Sequence, residues 1–419
     1  MYTLPKIERF QQNVASKYTI YNSVFITLPF DEINNTGVLL PLFSEVCENG
    51  YKNEQSPAEI FETFVTKYLD NPSEAEKISL LFRFIQYVER QVVLFDAIED
   101  AAFPIVNNME GKSSLRAIKE TAESEGKTKE LKDFLENFKV RTVLTAHPTQ
   151  FYPGSVLGII TDLTEALKSN NHIVIKDLLA QLGKTPFFKK EKPTPFDEAV
   201  SLIWYLENVF YPTASEMVHY LQKNIFKGNE LKNDVLNLGF WPGGDRDGNP
   251  FVTTEITLKV AERLRTSILK CYYTDIRKLK RKLTFTGVDV IIAELENKLY
   301  RSVFYSQGEI FISLEEFKSQ LQNIKNIIIE KHQSLYVDEV DLLLNKVNLF
   351  GFHFATLDIR QNSKIHKAVF QDIVQKEKRL FPEDYFNLSE PEKIDILSKA
   401  SAQLKASDFD NEITKETIS

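Results

Sequence analysis

Val140-Arg141-Thr142-Val143-Leu144-Thr145 is the stretch on which the fold turns. Its β-branched residues and the proline turn that follows read as a short strand, in a chain whose periodicity is otherwise helical. Two further segments break the helical rule in the same way. Leu236 to Trp241 leads into a glycine cluster, and Val347 to Ile359 alternates around Phe350, Phe352 and Phe354. Polar residues follow each segment, which suits strands of an α/β barrel that carry functional groups at their carboxyl ends. Three such segments cannot close a barrel, and extended connections between helices are the other reading.

Helices dominate outward from these segments. Glycine is scarce, 15 in 419 residues, where strand-and-turn proteins need more of it. From Ile78 the apolar positions Leu81, Phe82, Ile85, Val88, Val92 and Phe95 recur every three or four residues, a stripe on one long helix. A helix start is written at Ser56-Pro57-Ala58-Glu59, with Ser56 as cap, Pro57 in the first turn and Glu59 closing the box. Further helices are expected at 113–138, 155–182, 196–225, 255–283, 288–305 and 313–333, the last opening on Ser313 with Glu316 three residues on. Gly183 to Pro195 holds two proline turns and reads as a loop between helices, a solvated linker in preference to a mobile basic edge. The expected fold is mostly α, with a few short strands of an incomplete α/β barrel. Its expected divisions are an N-terminal helical region at 1–138, a partial barrel with helical insertions at 139–380, and a helical tail at 381–419.

Charge and cysteine content narrow the function classes. Lys and Arg total 51 against 59 Asp and Glu, a formal net charge of −8, so no global positive field exists to hold a nucleic acid. Cys47 and Cys271 make neither a disulfide framework nor a C-x-x-C site, as expected of a reducing, cytoplasmic setting. The N-terminus lacks a basic segment followed by an apolar one, and no apolar run approaches the roughly 18 residues of a membrane span, so no membrane partner is expected.

Three segments can carry chemistry. In Thr145-Ala146-His147-Pro148-Thr149-Gln150, the residue before proline is pushed out of the helical region, so His147 should project from a strand end, where it can exchange a proton near neutral pH. A histidine hydrogen-bonded in a turn is the plain alternative. Gly239 to Pro250 reads Gly-Phe-Trp-Pro-Gly-Gly-Asp-Arg-Asp-Gly-Asn-Pro, with four of the fifteen glycines in ten residues. It is not a phosphate loop, because Asn249-Pro250 stand where Lys and Ser/Thr are needed, and not a calcium loop, because Ile256 stands at the twelfth position. Arg246 between Asp245 and Asp247 either binds an anion or forms an internal ion-pair knot. In Leu357-Asp358-Ile359-Arg360-Gln361 alternation leaves Asp358 and Arg360 on one face, where Arg360 can grip a carboxylate or phosphate at two points, or simply pair with Asp358. His172, His219, His332 and His353 lie in helical or alternating stretches and read as structural. No nucleophile elbow, kinase set or H-E-x-x-H is present.

Together and in order, these segments resemble phosphoenolpyruvate carboxylase. The family's first active-site signature is similar to Val143 to Gln150, its glycine-rich signature to Gly243-Gly244-Asp245-Arg246-Asp247-Gly248-Asn249-Pro250, and a third motif to Leu357 to Gln361. The resemblance implies a TIM-barrel-related fold and a reaction of phosphoenolpyruvate with bicarbonate to give oxaloacetate and phosphate. It implies that His147 takes the proton of carboxyphosphate, that Arg360 holds the phosphate, and that Arg246 binds an anion or braces the barrel. It also implies a homotetramer and a magnesium or manganese ion, whose ligands are expected in a C-terminal half that this chain lacks. On that reading the chain is about the N-terminal half of the family's protein. Alone, it is expected to be inactive and prone to associate through exposed strand edges and apolar surface. Gln150-Phe151-Tyr152-Pro153-Gly154 stand where the family usually has a pair of arginines, and Phe251 stands where it has another; in the plant-type enzymes these arginines belong to a sugar-phosphate activator site, so the resemblance does not imply activation by a sugar phosphate here. The rival reading is a non-catalytic helical scaffold or anion-binding relative that keeps these loops.

Overall fold

The structure is a computed structural model that describes residues 4–27, 36–109, 111–112, 114–145, 152, 154–187, 193–228, 231, 233, 235–305 and 311–419. It divides into two compact units, Met1–Ile118 with Pro148–Lys192, and Lys119–His147 with Pro193–Ser419.

The first unit is built on a 34-residue helix, α1 (Glu74–Asn107), which opens on a capping box of Ser73 and Glu76. Helices α2 (Gly154–Lys168) and α3 (His172–Lys184) pack in the same core, where Tyr87, Leu94 and Ile98 meet Leu163, Leu167 and Leu179. Each large apolar side chain buried this way contributes about 1.5–3 kcal/mol. Arg90 closes the end of α3: its guanidinium donates to the carbonyls of Leu182 at 3.1 Å and Thr185 at 2.8 Å. The ring of Phe187 lies 4.6 Å from it. A cation is favoured there because the last carbonyls of a helix lack partners and carry partial negative charge. The box at Ser56 also forms, with the Ser56 N–H donating to Glu59 Oε2 at 2.8 Å.

Three sequence expectations need correction here. The stripe that includes Phe82 and Ile85 is not the buried face of α1, since those residues are 55% and 51% exposed while Phe84, Tyr87, Leu94 and Ile98 are buried. The helix is apolar on more than one face, so periodicity alone selects the wrong stripe. The helix expected at 155–182 is two, because Asn170 takes φ +50° and Asn171 caps α3. The helix expected at 113–138 likewise splits into Leu115–Ser124 and Thr128–Asn137 around Gly126 at φ +70°.

The second unit holds three parallel strands in the order β1 (Val140–Leu144), β2 (Leu236–Phe240), β3 (Thr356–Leu357). Val143 pairs with Gly239 and Leu144 with Phe240, while Gly239 pairs with Thr356 and Phe240 with Leu357. Parallel neighbours require long crossovers, and helices supply them. They include α4 (Thr254–Lys280), α5 (Asp289–Phe304), α6 (Leu314–Lys331) and α7 (Val337–Phe350), with α8 (Ser363–Lys376) and α9 (Glu412–Ile418) following β3. Leu144, Leu238, Phe240 and Leu357 belong to the helical core with Leu264, Ile268 and Tyr272. The alternation of a strand then puts Arg141, Val143, Gly239 and Thr356 on the opposite face.

The segment from Val347 is not the alternating strand its phenylalanines suggest. Val347 to Phe350 end α7, Gly351 breaks it at φ +52°, and only Thr356–Leu357 is strand. Phe350, Phe352 and Phe354 are nevertheless all buried. The Tyr272 hydroxyl donates to the Gly351 carbonyl at 2.7 Å, and Phe354 adopts φ +63°, so a tight turn does what alternation was expected to do. Beside it the Tyr211 hydroxyl donates to Asp275 at 2.9 Å, and Lys346 pairs with the same carboxylate oxygen at 2.7 Å. Burial, reinforced by the Asp275 charge, holds the Tyr211 phenol well above its ordinary pKa. No helix among the described residues is long and apolar enough to cross a membrane.

Candidate functional site

Beyond β2 the chain turns through Trp241 to Gly248, and beyond β3 it continues through Asp358 to Asn362. The two exits run side by side. Asp358 N–H donates to the Phe240 carbonyl at 3.0 Å, Arg360 N–H to Gly244 at 2.9 Å, and Arg246 N–H to Arg360 at 2.9 Å, so parallel pairing persists past the strands. Glycine is what permits this approach: a Cβ on Gly244 would lie 2.2 Å from the Asp358 carbonyl oxygen. Gly243 carries φ +81°, a conformation that L side chains disfavour. The Thr257 hydroxyl donates to the Gly243 carbonyl at 2.7 Å and ties the loop to α4.

Side chains converge on Trp241. Its indole N–H donates to Asp358 Oδ2 at 3.1 Å, and the Arg360 guanidinium lies 3.8 Å from its ring centroid. Arg360 also donates to Asp245 Oδ2 at 2.9 Å. Arg360 keeps a side chain 40% exposed, with one edge of the guanidinium fixed by a carboxylate and one face by an aromatic ring. The sequence placed Asp358 and Arg360 on one face, and both do meet Trp241. They do not pair with each other, because Asp358 instead takes Arg141 Nη2 at 2.5 Å.

Arg246 leaves both of its neighbouring aspartates. Asp245 is taken by Arg360, and Asp247 accepts from Asn362 at 3.4 Å. Arg246 Nη1 donates to the Glu416 carbonyl at 3.0 Å and Nη2 to the Thr254 hydroxyl at 3.2 Å, with the side chain only 10% exposed. Thr254 in turn donates its hydroxyl to the Glu416 carbonyl at 3.1 Å and its N–H to the Glu416 carboxylate. The guanidinium therefore joins the glycine-rich loop, the first turn of α4 and α9.

A loop held open by glycines, two arginines of different exposure and a strand end beside them recur in order along the chain, and comparison with known families agrees. The phosphoenolpyruvate carboxylase family matches residues 74–303 and 291–409. The chain belongs to the phosphoenolpyruvate carboxylase family. Among curated relatives, the phosphoenolpyruvate carboxylase of Shewanella sediminis is 28% identical over 305 residues, covering 62% of this chain and 34% of that protein. Those of Shewanella halifaxensis and Shewanella loihica are 26% and 28% identical, covering 63% and 58% of this chain and 35% and 32% of theirs. The matched stretch thus spans about a third of the length of each carboxylase.

Within this carboxylase-family chain, His147 lies outside the described residues. Leu144, three residues before it, accepts from the Trp241 N–H at 2.9 Å, so β1 delivers the chain to the same end of the sheet as the glycine-rich loop. Elsewhere, His172 shares a hydrogen bond with the Tyr21 hydroxyl at 3.1 Å, and His332 sits at the C-terminus of α6 near the Thr286 carbonyl. No three His, Cys, Asp or Glu side chains among the described residues converge as a metal site. Sequence reasoning quoted Trp241 and Arg141 without giving them a role. The available signal was an arginine inside a β-branched strand and an aromatic ring directly before the glycines.

Proposed function

We propose that this chain contributes part of the active site of a phosphoenolpyruvate carboxylase, which converts phosphoenolpyruvate and bicarbonate to oxaloacetate and phosphate. The observation that carries the reading is the Arg360 guanidinium, held on Asp245 and Trp241 at the carboxyl end of the sheet and still open to solvent. Bicarbonate oxygen attacks phosphorus, the enolate of pyruvate leaves, and the carboxyphosphate so formed gives carbon dioxide, which the enolate carbon attacks. Negative charge develops on the transferred phosphoryl group and on the enolate, so preoriented donors lower the barrier. Arg360 holds the phosphate, and His147 accepts the carboxyphosphate proton as carbon dioxide is released. Arg246 braces the loop; its contacts to Glu416 and Thr254 support that role over anion binding.

The sheet itself is read as part of a TIM-like barrel wall, supported by three parallel strands in sequence order with helical crossovers and functional groups at their carboxyl ends. Magnesium or manganese, a cytoplasmic location and a homotetramer complete the proposal. Oxaloacetate formation, read by coupled reduction to malate, tests it. The chain is assayed alone and then joined to the residues that the Shewanella sediminis relative carries beyond the matched stretch. Activity in the joined protein, lost on His147→Asn and on Arg360→Gln, is expected. A folded joined protein that binds phosphoenolpyruvate without turnover points to the scaffold reading instead.

A further inference from the structure

We propose that Arg141 is a second anion-binding group of this site, gripping a planar carboxylate-type oxyanion beside the phosphate held by Arg360. The inference rests on the reading of Arg360 given above. Arg141 lies inside β1 on the face turned away from the helical core, and its side chain crosses the neighbouring strand to reach Asp358. It crosses at Gly239. A Cβ there would stand 3.0 Å from Arg141 Nε, so the missing side chain is what opens the path across the sheet.

Asp358 then links the two cations. One carboxylate oxygen takes Arg141, the other takes the indole N–H of Trp241, and the face of that indole carries Arg360. Two guanidiniums are thereby fixed in one row of contacts, each anchored by its own carboxylate. Arg141 spends only Nη2 on that anchor, and its side chain is 45% exposed. Arg90 shows what a structural arginine does in the same chain, with its guanidinium buried among carbonyls. An exposed ion pair contributes only about 0–1 kcal/mol, so stability does not account for a long cation laid over the sheet.

Asp245 and Asp358 offset the two positive charges, so an anion is selected by the fixed direction of the remaining N–H groups. A planar carboxylate matches the two-pronged edge of a guanidinium, and a lysine ammonium cannot reproduce that match. Two ligands of the proposed reaction present such a group, the carboxylate of phosphoenolpyruvate and bicarbonate itself.

Trp241 reports on both arginines, and the chain has one other tryptophan, Trp204, which is exposed. In the full chain carrying Trp204→Phe, Trp241 emission is followed during titration with phosphoenolpyruvate, inorganic phosphate and bicarbonate. Arg141→Gln is expected to leave phosphate affinity within about twofold and to weaken either phosphoenolpyruvate or bicarbonate about tenfold, as loss of charged hydrogen bonds does. Which of the two weakens identifies the source of the carboxylate. Arg141→Lys keeps the cation on Asp358 without the planar edge, so it guards against misfolding and should show the same selective loss. Parent-like binding of all three ligands by both Arg141 variants overturns the inference. If Arg360→Gln at the same time loses phosphate, the Arg360 reading stands without it. Phosphate affinity unchanged in Arg360→Gln, or no response in the parent, overturns the Arg360 reading and this inference with it.

Discussion

Arg246 donates its backbone N–H to the Arg360 carbonyl, and from that shared rung the two side chains run to different surroundings. Arg246 is sunk between two helices and bonds to a carbonyl and a hydroxyl, while Arg360 lies over an indole with its side chain 40% exposed. Both come from short motifs dense in charge, and both can be read as anion-binding. The comparison teaches that residue type names the chemistry available, while the partners a side chain finds decide whether that chemistry is spent inside the fold or remains for a ligand.

The comparison is broken most severely at the rung itself. Gly244→Ala places a methyl group against the Asp358 backbone, and since neither side can yield without losing the paired exits, a loss of about 3 kcal/mol or more is expected in urea unfolding. Both arginines should then be displaced together. Next in size is the contrast between them. Arg246→Leu leaves the Glu416 carbonyl and the Thr254 hydroxyl without their donor and should cost about 2–3 kcal/mol. Arg360→Gln removes a half-buried pair and should cost about 1 kcal/mol while eliminating the Trp241 response to phosphate. Equal destabilisation by the two would collapse the distinction.

Thr254→Val sharpens it at a smaller scale, since a single hydroxyl serves both Arg246 and Glu416; about 1 kcal/mol is expected, with anion binding unchanged. The smallest effect is kinetic. Phenylglyoxal should modify Arg360 several-fold faster than Arg246, read by peptide mass after short exposure, and phosphate should protect Arg360 alone.

Local signals made much of this fold legible. The capping box at Ser56 was readable because the pattern of Ser, Pro and Glu is itself the mechanism, and β1 and β2 were readable because β-branched and apolar residues ended at turn residues. The burial of Phe350, Phe352 and Phe354 was legible while their conformation was not, since a turn closed by Tyr272 from a distant helix buries the same rings. The face of α1 was misread because its apolar residues exceed one stripe, and packing partners choose among them. At the site, the glycines announced a close approach without saying to what. The contacts that distinguish Arg246, Arg360 and Arg141 all come from segments far away in sequence, Glu416, Asp245 and Asp358 respectively.

That last separation has a consequence for how the protein is made. Arg141 is synthesised 217 residues before the carboxylate that anchors it, which at about 5–20 residues per second means roughly 10–40 s of waiting on the ribosome. During that interval β1 is a β-branched, apolar segment with its parallel neighbours not yet assembled, because contacts so distant along the chain form late. The row of contacts that joins Arg141 to Arg360 is thus among the last parts of the sheet to assemble.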